Sequence, residues 1–280
     1  MSFWQLIKTL VAILRGHRRY KKAVDEIRAV VALQQDVTQA VLEPYRRGDY
    51  EAALQAVGVL KDASDARLAN TYFFYRGIML TNLGRFEEAE QAFRRNLTVA
   101  PDEKRRALAY SSFGRLLLEM ERYTEASECF DASLRFWPDR GSPHRGLAEA
   151  CLRQGGDAST AARRARIAVQ EERARMNPND SPQAQSAYNV NLAENLATLA
   201  WAVAAESQDR AEVDRMVGEA VPLAAGPASS AAQVHFHSAQ AYLVLGDPVE
   251  SANHLSEAAR IDPHGVFGRA AQAMLLGANV

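Results

Sequence analysis

The sequence predicts an all-α fold, a solenoid of antiparallel helix hairpins stacked one on the next. Three observations carry this expectation. Gly77, Gly84, Phe86, Ala89, Phe93 and Pro101 recur as Gly114, Glu121, Tyr123, Ala126, Phe130 and Pro138, each pair at the same offset of 37 positions (77 to 114, 84 to 121). The chain is rich in alanine and leucine and poor in β-branched runs, which favours helices. Pro101 and Pro138 close each copy where a helix must stop, because proline cannot continue the hydrogen-bond ladder.

The spacing within each copy describes helix, tight turn, helix. Gly77 and Gly114 on the first helix, with Ala89 and Ala126 facing them on the second, give the room that closely packed helices need. Gly84 suits the turn, since glycine accepts the positive φ of a helix end. Phe86 and Tyr123 open the second helix. Phe93 and Phe130, two turns further on, are expected to fill the layer between neighbouring units.

These residues resemble the tetratricopeptide repeat, a helical hairpin of roughly 34 residues. The longer period here implies longer helices or a longer linker. A third copy has Ala239, Tyr242, Gly246, Ser251, Leu255, Ala258 and Pro263 at equivalent spacings. The resemblance implies a right-handed superhelical solenoid with N- and C-terminal capping helices, about five to six hairpins long.

In chain order, residues 1–24 are basic and amphipathic, with Phe3, Trp4, Ile7, Leu10, Val11 and Leu14 on one face and Arg15, Arg18 and Arg19 after it. As a helix, residues 2–14 would be ~20 Å long, short of a ~30 Å hydrocarbon core. Two readings follow: a segment lying on an anionic membrane surface, or a cap over the open end of the array. The charge follows the apolar run instead of preceding it, unlike a cleaved secretory signal. Residues 25–68 read as a degenerate first repeat, with Pro44 and Gly48 at its turn. Residues 69–176 hold two clear repeats and a degenerate one, in which Ala161, Ala165 and Ala168 replace the aromatic residue and predict thin packing. Residues 177–185, Pro- and Asn-rich, form a linker. Residues 186–280 carry the rear repeats and a closing helix from Gly265 to Leu276.

With 33 basic against 34 acidic residues, the net charge of −1 argues against nucleic acid as partner. The two cysteines, Cys129 and Cys151, have no metal-like spacing and read as core residues of a reducing compartment, the cytoplasm. Phosphate-loop, nucleophile-elbow and HExxH patterns are missing, so neither enzyme activity, cofactor nor metal is expected. His235 and His237, two apart, point to different helix faces and read as ordinary side chains. Charged neighbours such as Glu119 and Arg122 read as solvated helix faces.

Function is then expected on the concave surface, which the family lines with the first helix of each hairpin. Its groove positions fall on Thr71, Phe74, Ile78 and Asn82, on Leu108, Ser111, Arg115 and Glu119, and on Gln233, Phe236 and Gln240. In the segment 186–205, Asn191, Asn195 and Thr198 form a polar stripe suited to holding the backbone of an extended peptide. Trp201 reads as core or as a groove anchor. Phe74 and Ile78 stand where the family's chaperone-tail receptors carry polar groups, which directs the reading to a more apolar peptide or a partner surface. The sequence therefore predicts a non-catalytic scaffold for a protein or peptide partner, with Phe74 and Phe236 as apolar anchors and Arg115 pairing with an acidic group. A membrane-bound assembly factor and a small-ligand sensor or scattered-site enzyme are the alternatives, and pairing through terminal helices admits a homodimer.

Overall fold

The structure is a computed structural model that describes residues 25, 26 and 28–277. The predicted membrane-interface or cap segment, residues 1–24, lies outside the described residues. Helix α1 (28–46) and α2 (Tyr50–Val57) form the first hairpin, and a 3-10 turn (Gly58–Leu60) leads on. The following hairpins pair α3 (Ala66–Asn82) with α4 (Phe86–Val99), α5 (Glu103–Glu119) with α6 (Tyr123–Phe136), and α7 (Gly141–Arg153) with α8 (Ala158–Arg175). The rear pairs are α9 (Pro182–Ser207) with α10 (Arg210–Leu223) and α11 (Ala228–Val244) with α12 (Pro248–Ile261), and α13 (Val266–Leu275) closes the chain. The fold is an all-α solenoid, with no strand among the described residues.

Each hairpin turn holds one residue in the left-handed region: Gly48, Gly84, Glu121, Gly155, Gln208 and Gly246. Glycine meets this demand at four turns, whereas Glu121 and Gln208 bear the cost of a Cβ there. The predicted linker is shorter than 177–185. The Ser181 Oγ accepts from the Ala184 amide and Pro182 supplies the fixed φ of a first helical position, so α9 starts at Pro182. Pro222 lies in the last turn of α10.

The small residues make room for rings more than for facing alanines. A Cβ at Gly77 would stand 2.7 Å from the Phe93 ring, and one at Gly114 2.8 Å from that of Phe130. Gly146 of the next unit seats the same Phe130 ring from the other side, with 2.3 Å to its Cζ. Phe130 is therefore clamped between α5 and α7. The alanine-rich unit, expected to pack thinly, packs closely instead: Ala161, Ala165 and Ala168 are fully buried, and the first two share one core with Ala193, Ala197 and Ala200 of α9. Small side chains shorten the distance between helix axes and preserve contact density.

The chain curves until its two ends meet. The Tyr50 hydroxyl, at the start of α2, donates to Asp262 Oδ2 at 2.5 Å, across 212 residues. Tyr45 and Ser229 share a 2.9 Å hydroxyl contact, and Arg269 of α13 donates to the Asn82 carbonyl at 2.7 Å. The closing helix, expected as a cap, buries Val266, Phe267, Gly268 and Ala271 and lies against the concave side of the front hairpins.

Replacing Gly146 with Ala places a methyl group inside the Phe130 ring and is expected to cost ~1–3 kcal/mol. Gly218→Ala, in mid-α10 with nothing within 4 Å of its Cβ, is expected to gain ~0.5–1 kcal/mol. Chemical denaturation of both variants beside the parent measures the two signs; equal shifts would rule out the clamp.

Candidate functional site

The first helices of the hairpins, α5, α7, α9 and α11, turn a set of charged and polar side chains inward, where the curvature encloses them. Arg145 of α7 pairs with Glu194 of α9, both about 4% exposed. Arg153 of α7 pairs with Glu149 at 2.7 Å and reaches Glu119 of α5 at 3.4 Å. His237 of α11, fully buried, sets its Nε2 3.3 Å from Glu149. The other ring nitrogen, Nδ1, lies 2.9 Å from Thr198 Oγ1, whose own proton goes to the Glu194 carbonyl. The imidazole therefore donates from Nδ1 to the threonine.

Burial by itself would raise the Glu149 carboxyl, but Arg153, His237 and Arg115 outweigh it and hold it well below the usual carboxylate range. Glu194 follows the same balance: burial raises it, and Arg145 and Arg115 bring it down. Glu172, at the edge of this interior, shifts the opposite way. Its burial prevails over Arg175, 3.5 Å away, and over Asn191.

The structure separates the predicted groove residues into two groups. At the rear, Asn195, Thr198, Gln233 and Phe236 are buried by the protein's own helices. Asn195 donates to the Ala168 carbonyl at 3.0 Å and accepts from Arg145, so the amide expected to hold a peptide backbone instead ties α9 to α7 and α8. Asn191 donates to Glu172 at 3.4 Å. Phe236 packs on Phe267 of α13, with ring centroids 5.7 Å apart, and Gln240 touches Met274 of the same helix. Trp201 is a core residue beside His237. The α11 positions are covered by α13, and those of α9 by α7, α8 and α11.

At the front, the expected positions remain beside open space. Phe74, with Thr71 and Leu108, lines a groove of about 160 Å³ between α1, α3 and α5, together with Gln34, Thr38 and Arg105. Ile78, Asn82, Arg115 and Glu119 line a second cavity of about 110 Å³ under Val266 and Phe267 of α13. Ser111 is buried.

Arg145, Glu149 and Glu194 escaped the sequence reading, and His237, read there as an ordinary side chain, is fully buried beside Glu149. The signal was present as Arg145, Glu149 and Arg153 at four-residue intervals along one helix face. On an open solenoid such a stripe is solvated; only closure of the superhelix buries it. Glu119 likewise faces Arg153, whereas Arg122 pairs with Glu125 and Glu90 on the outside. Both cysteines are unpaired and partly buried. Among the described residues, no cluster of three or more potential ligands suits a metal ion, and no helix is long and apolar enough to cross a membrane.

A closed stack of hairpins with an inward-facing first-helix surface defines the class: a helical-repeat scaffold for protein interaction. Models of the tetratricopeptide repeat match residues 67–139 and 112–180, so this stretch carries repeats of that kind. No curated protein matches the sequence. Among solved structures, that of NprR in complex with its cognate peptide NprX aligns over 98% of this chain and 82% of its own, with a TM-score of 0.59 at 11% identity. TTC0263, a thermophilic tetratricopeptide-repeat protein of Thermus thermophilus, aligns over 74% of this chain and 99% of its own, with a TM-score of 0.50 at 18% identity. At these identities the likeness is one of fold.

The depressed carboxyls carry a pH signature. For Glu149 and Glu194 the folded value lies below the unfolded one near 4.5, so their contribution is complete above that pH and is lost as pH falls toward the folded values. Glu194→Gln leaves Arg145 buried without its counter-ion and is expected to cost ~3–5 kcal/mol at neutral pH. The loss should shrink below pH ~4. Denaturant titrations at several pH values check this; a pH-independent difference would refute the ion-pair account.

Proposed function

We propose that the protein is a non-catalytic scaffold that holds an extended peptide segment of a partner protein on the concave face of its front hairpins. The observation that carries this reading is the groove between α1, α3 and α5, where the ring of Phe74 stands partly exposed beside Leu108, Thr38 and Gln34. Farther back, the same concave face is occupied by the protein's own helices, and among the described residues the front groove remains open to a partner. Its volume of about 160 Å³ is close to the ~150 Å³ that takes up a benzene ring. One apolar side chain would fill it. Gln34 and Thr38 offer both donors and acceptors to the backbone on either side of that anchor. The repeats in residues 67–180 and the fold shared with NprR, a structure solved with a peptide, support this reading.

In the same reading, the basic amphipathic segment 1–24 provides a second attachment, to an anionic membrane surface. Two weak attachments on one chain raise the overall avidity for a partner at that surface. The basis for this is the sequence pattern alone.

Peptides selected on the purified chain from a displayed random library are expected to share one apolar anchor position and to lose about tenfold or more affinity on Phe74→Ala. Val249→Ala, at an exposed site on α12, should leave their affinity unchanged. Selected peptides indifferent to Phe74 would place the working surface elsewhere.

A further inference from the structure

Cations gather around one ring at the end of the hairpins opposite the tight turns. Trp137 follows α6 and is partly exposed. Lys104 of α5 sets its ammonium 5.5 Å from the ring centre. The guanidinium carbons of Arg140, just before α7, and Arg175, the last residue of α8, lie 5.4 and 5.7 Å from it. Three segments distant in sequence thus bring three cations to one indole. Arg175 also stands 5.6 Å from the Tyr188 ring, and Arg106 of α5 lies 5.4 Å from Phe136. The rings hold the side chains in place but supply no counter-charge.

Little of this charge is answered. Among the described residues, Glu172 alone forms an ion pair with the three, 3.5 Å from Arg175. Arg140 donates from Nε to Ser142 Oγ at 2.7 Å, and its other donors bond to no described residue. The remaining acids nearby are turned elsewhere. Asp102 caps α5 and takes Arg105 at 3.3 Å. Asp139 bears on Glu171 and not on Arg140, and Glu103 is ~100° around α5 from Lys104. Burial and the neighbouring Arg175 and Arg145 bring the Arg140 guanidinium down to about 10, so it stays cationic at neutral pH among like charges.

The arrangement selects the form of anion. The donors stand around an indole instead of converging on one point, so separate carboxylates suit them better than a single phosphate centre. Alternate residues of an extended chain are ~7 Å apart, which brings successive acidic side chains to different cations. Cations crowd the Trp137 ring and leave little of its face for a nucleobase, the contact by which single strands are held.

We propose that the rim formed by Lys104, Arg140 and Arg175 around Trp137 binds an acidic stretch of a partner's polypeptide chain. Leu108, one turn along α5 from Lys104, lines the Phe74 groove together with Arg105, so a peptide anchored there would continue onto this rim. Only that joint occupancy rests on the groove reading; the acidic contact itself does not.

The test is a fluorescence-anisotropy titration of the full chain, at low salt, with a blocked, dye-labelled decapeptide of alternating glutamate and serine. Unlabelled competitors are the same peptide, its glutamine counterpart, a thymidine decanucleotide and inorganic phosphate. The glutamate peptide is expected to bind, more weakly as salt is added, and to be displaced by its unlabelled form better than by any other competitor. Lys104→Gln with Arg140→Gln removes two cations on which no carboxylate depends, so the fold is retained and affinity falls about tenfold. Lys104→Glu, a single change at an exposed position, should weaken binding in the same direction if the double variant melts low. Arg163→Gln with Arg260→Gln, at exposed sites elsewhere, and Phe74→Ala should each leave the affinity unchanged. Equal affinity in the parent and the Lys104 variants, stronger competition by phosphate or by the oligonucleotide, or a loss on Phe74→Ala alone would overturn the assignment. Because the probe has no apolar anchor, failure of the groove reading leaves this result standing.

Discussion

The seating of a phenylalanine ring on glycine governs how this molecule is assembled. Phe130 is gripped between Gly114 and Gly146, so one ring fixes the spacing of two hairpins at once. Phe93 repeats half of the arrangement on Gly77. Contacts of this kind leave little freedom in the step from one unit to the next, since a packed ring cannot slide without opening a void. In the rear half, interlocked alanines on α8 and α9 do the same with smaller side chains. A fixed step repeated along the chain produces a fixed curvature, and here the curvature brings α11 and α13 onto the first two hairpins.

Closure changes what the inward side chains do. Ion pairs such as Arg145 with Glu194 or Arg153 with Glu149 would be solvated and nearly neutral in energy on an open surface. Enclosed, they lose their water, and each charge depends on its partner. The network therefore adds little net stability over an apolar core, but it penalises any packing that separates α7 from α9 or α11. Tyr50 and Asp262 apply the same logic at the seam between the ends. The Asp262 carboxyl is raised by burial against the opposing bonds from Tyr50 and the Gly265 amide, as expected for a carboxylate enclosed by neutral donors.

The covered rear and open front divide the inner face by role. Asn195, Gln233 and Phe236 occupy positions that a repeat array ordinarily offers to a ligand, and here they are spent on internal packing. Phe74 and Arg115 occupy equivalent positions one and two units from the start and still face space. The difference lies in what packs over each position, not in residue type: α13 covers Phe236, and α7 and α8 hold Asn195.

The all-α hairpin architecture, the places of the turns and the residues at the hairpin interfaces follow from the order of the amino acids alone. They depend on local rules: glycine at a positive φ, proline at a helix end, a ring at a fixed distance from a small residue. The closed seam, the buried charges around Glu149 and His237, and the cavity under α13 exist only once the chain has curved back on itself. They join residues as far apart as Tyr50 and Asp262, and a stripe of alternating charge looks the same in the sequence whether water or another helix covers it. Burial of that stripe depends on the summed rotation of the hairpins, to which every interface contributes and which no single motif encodes.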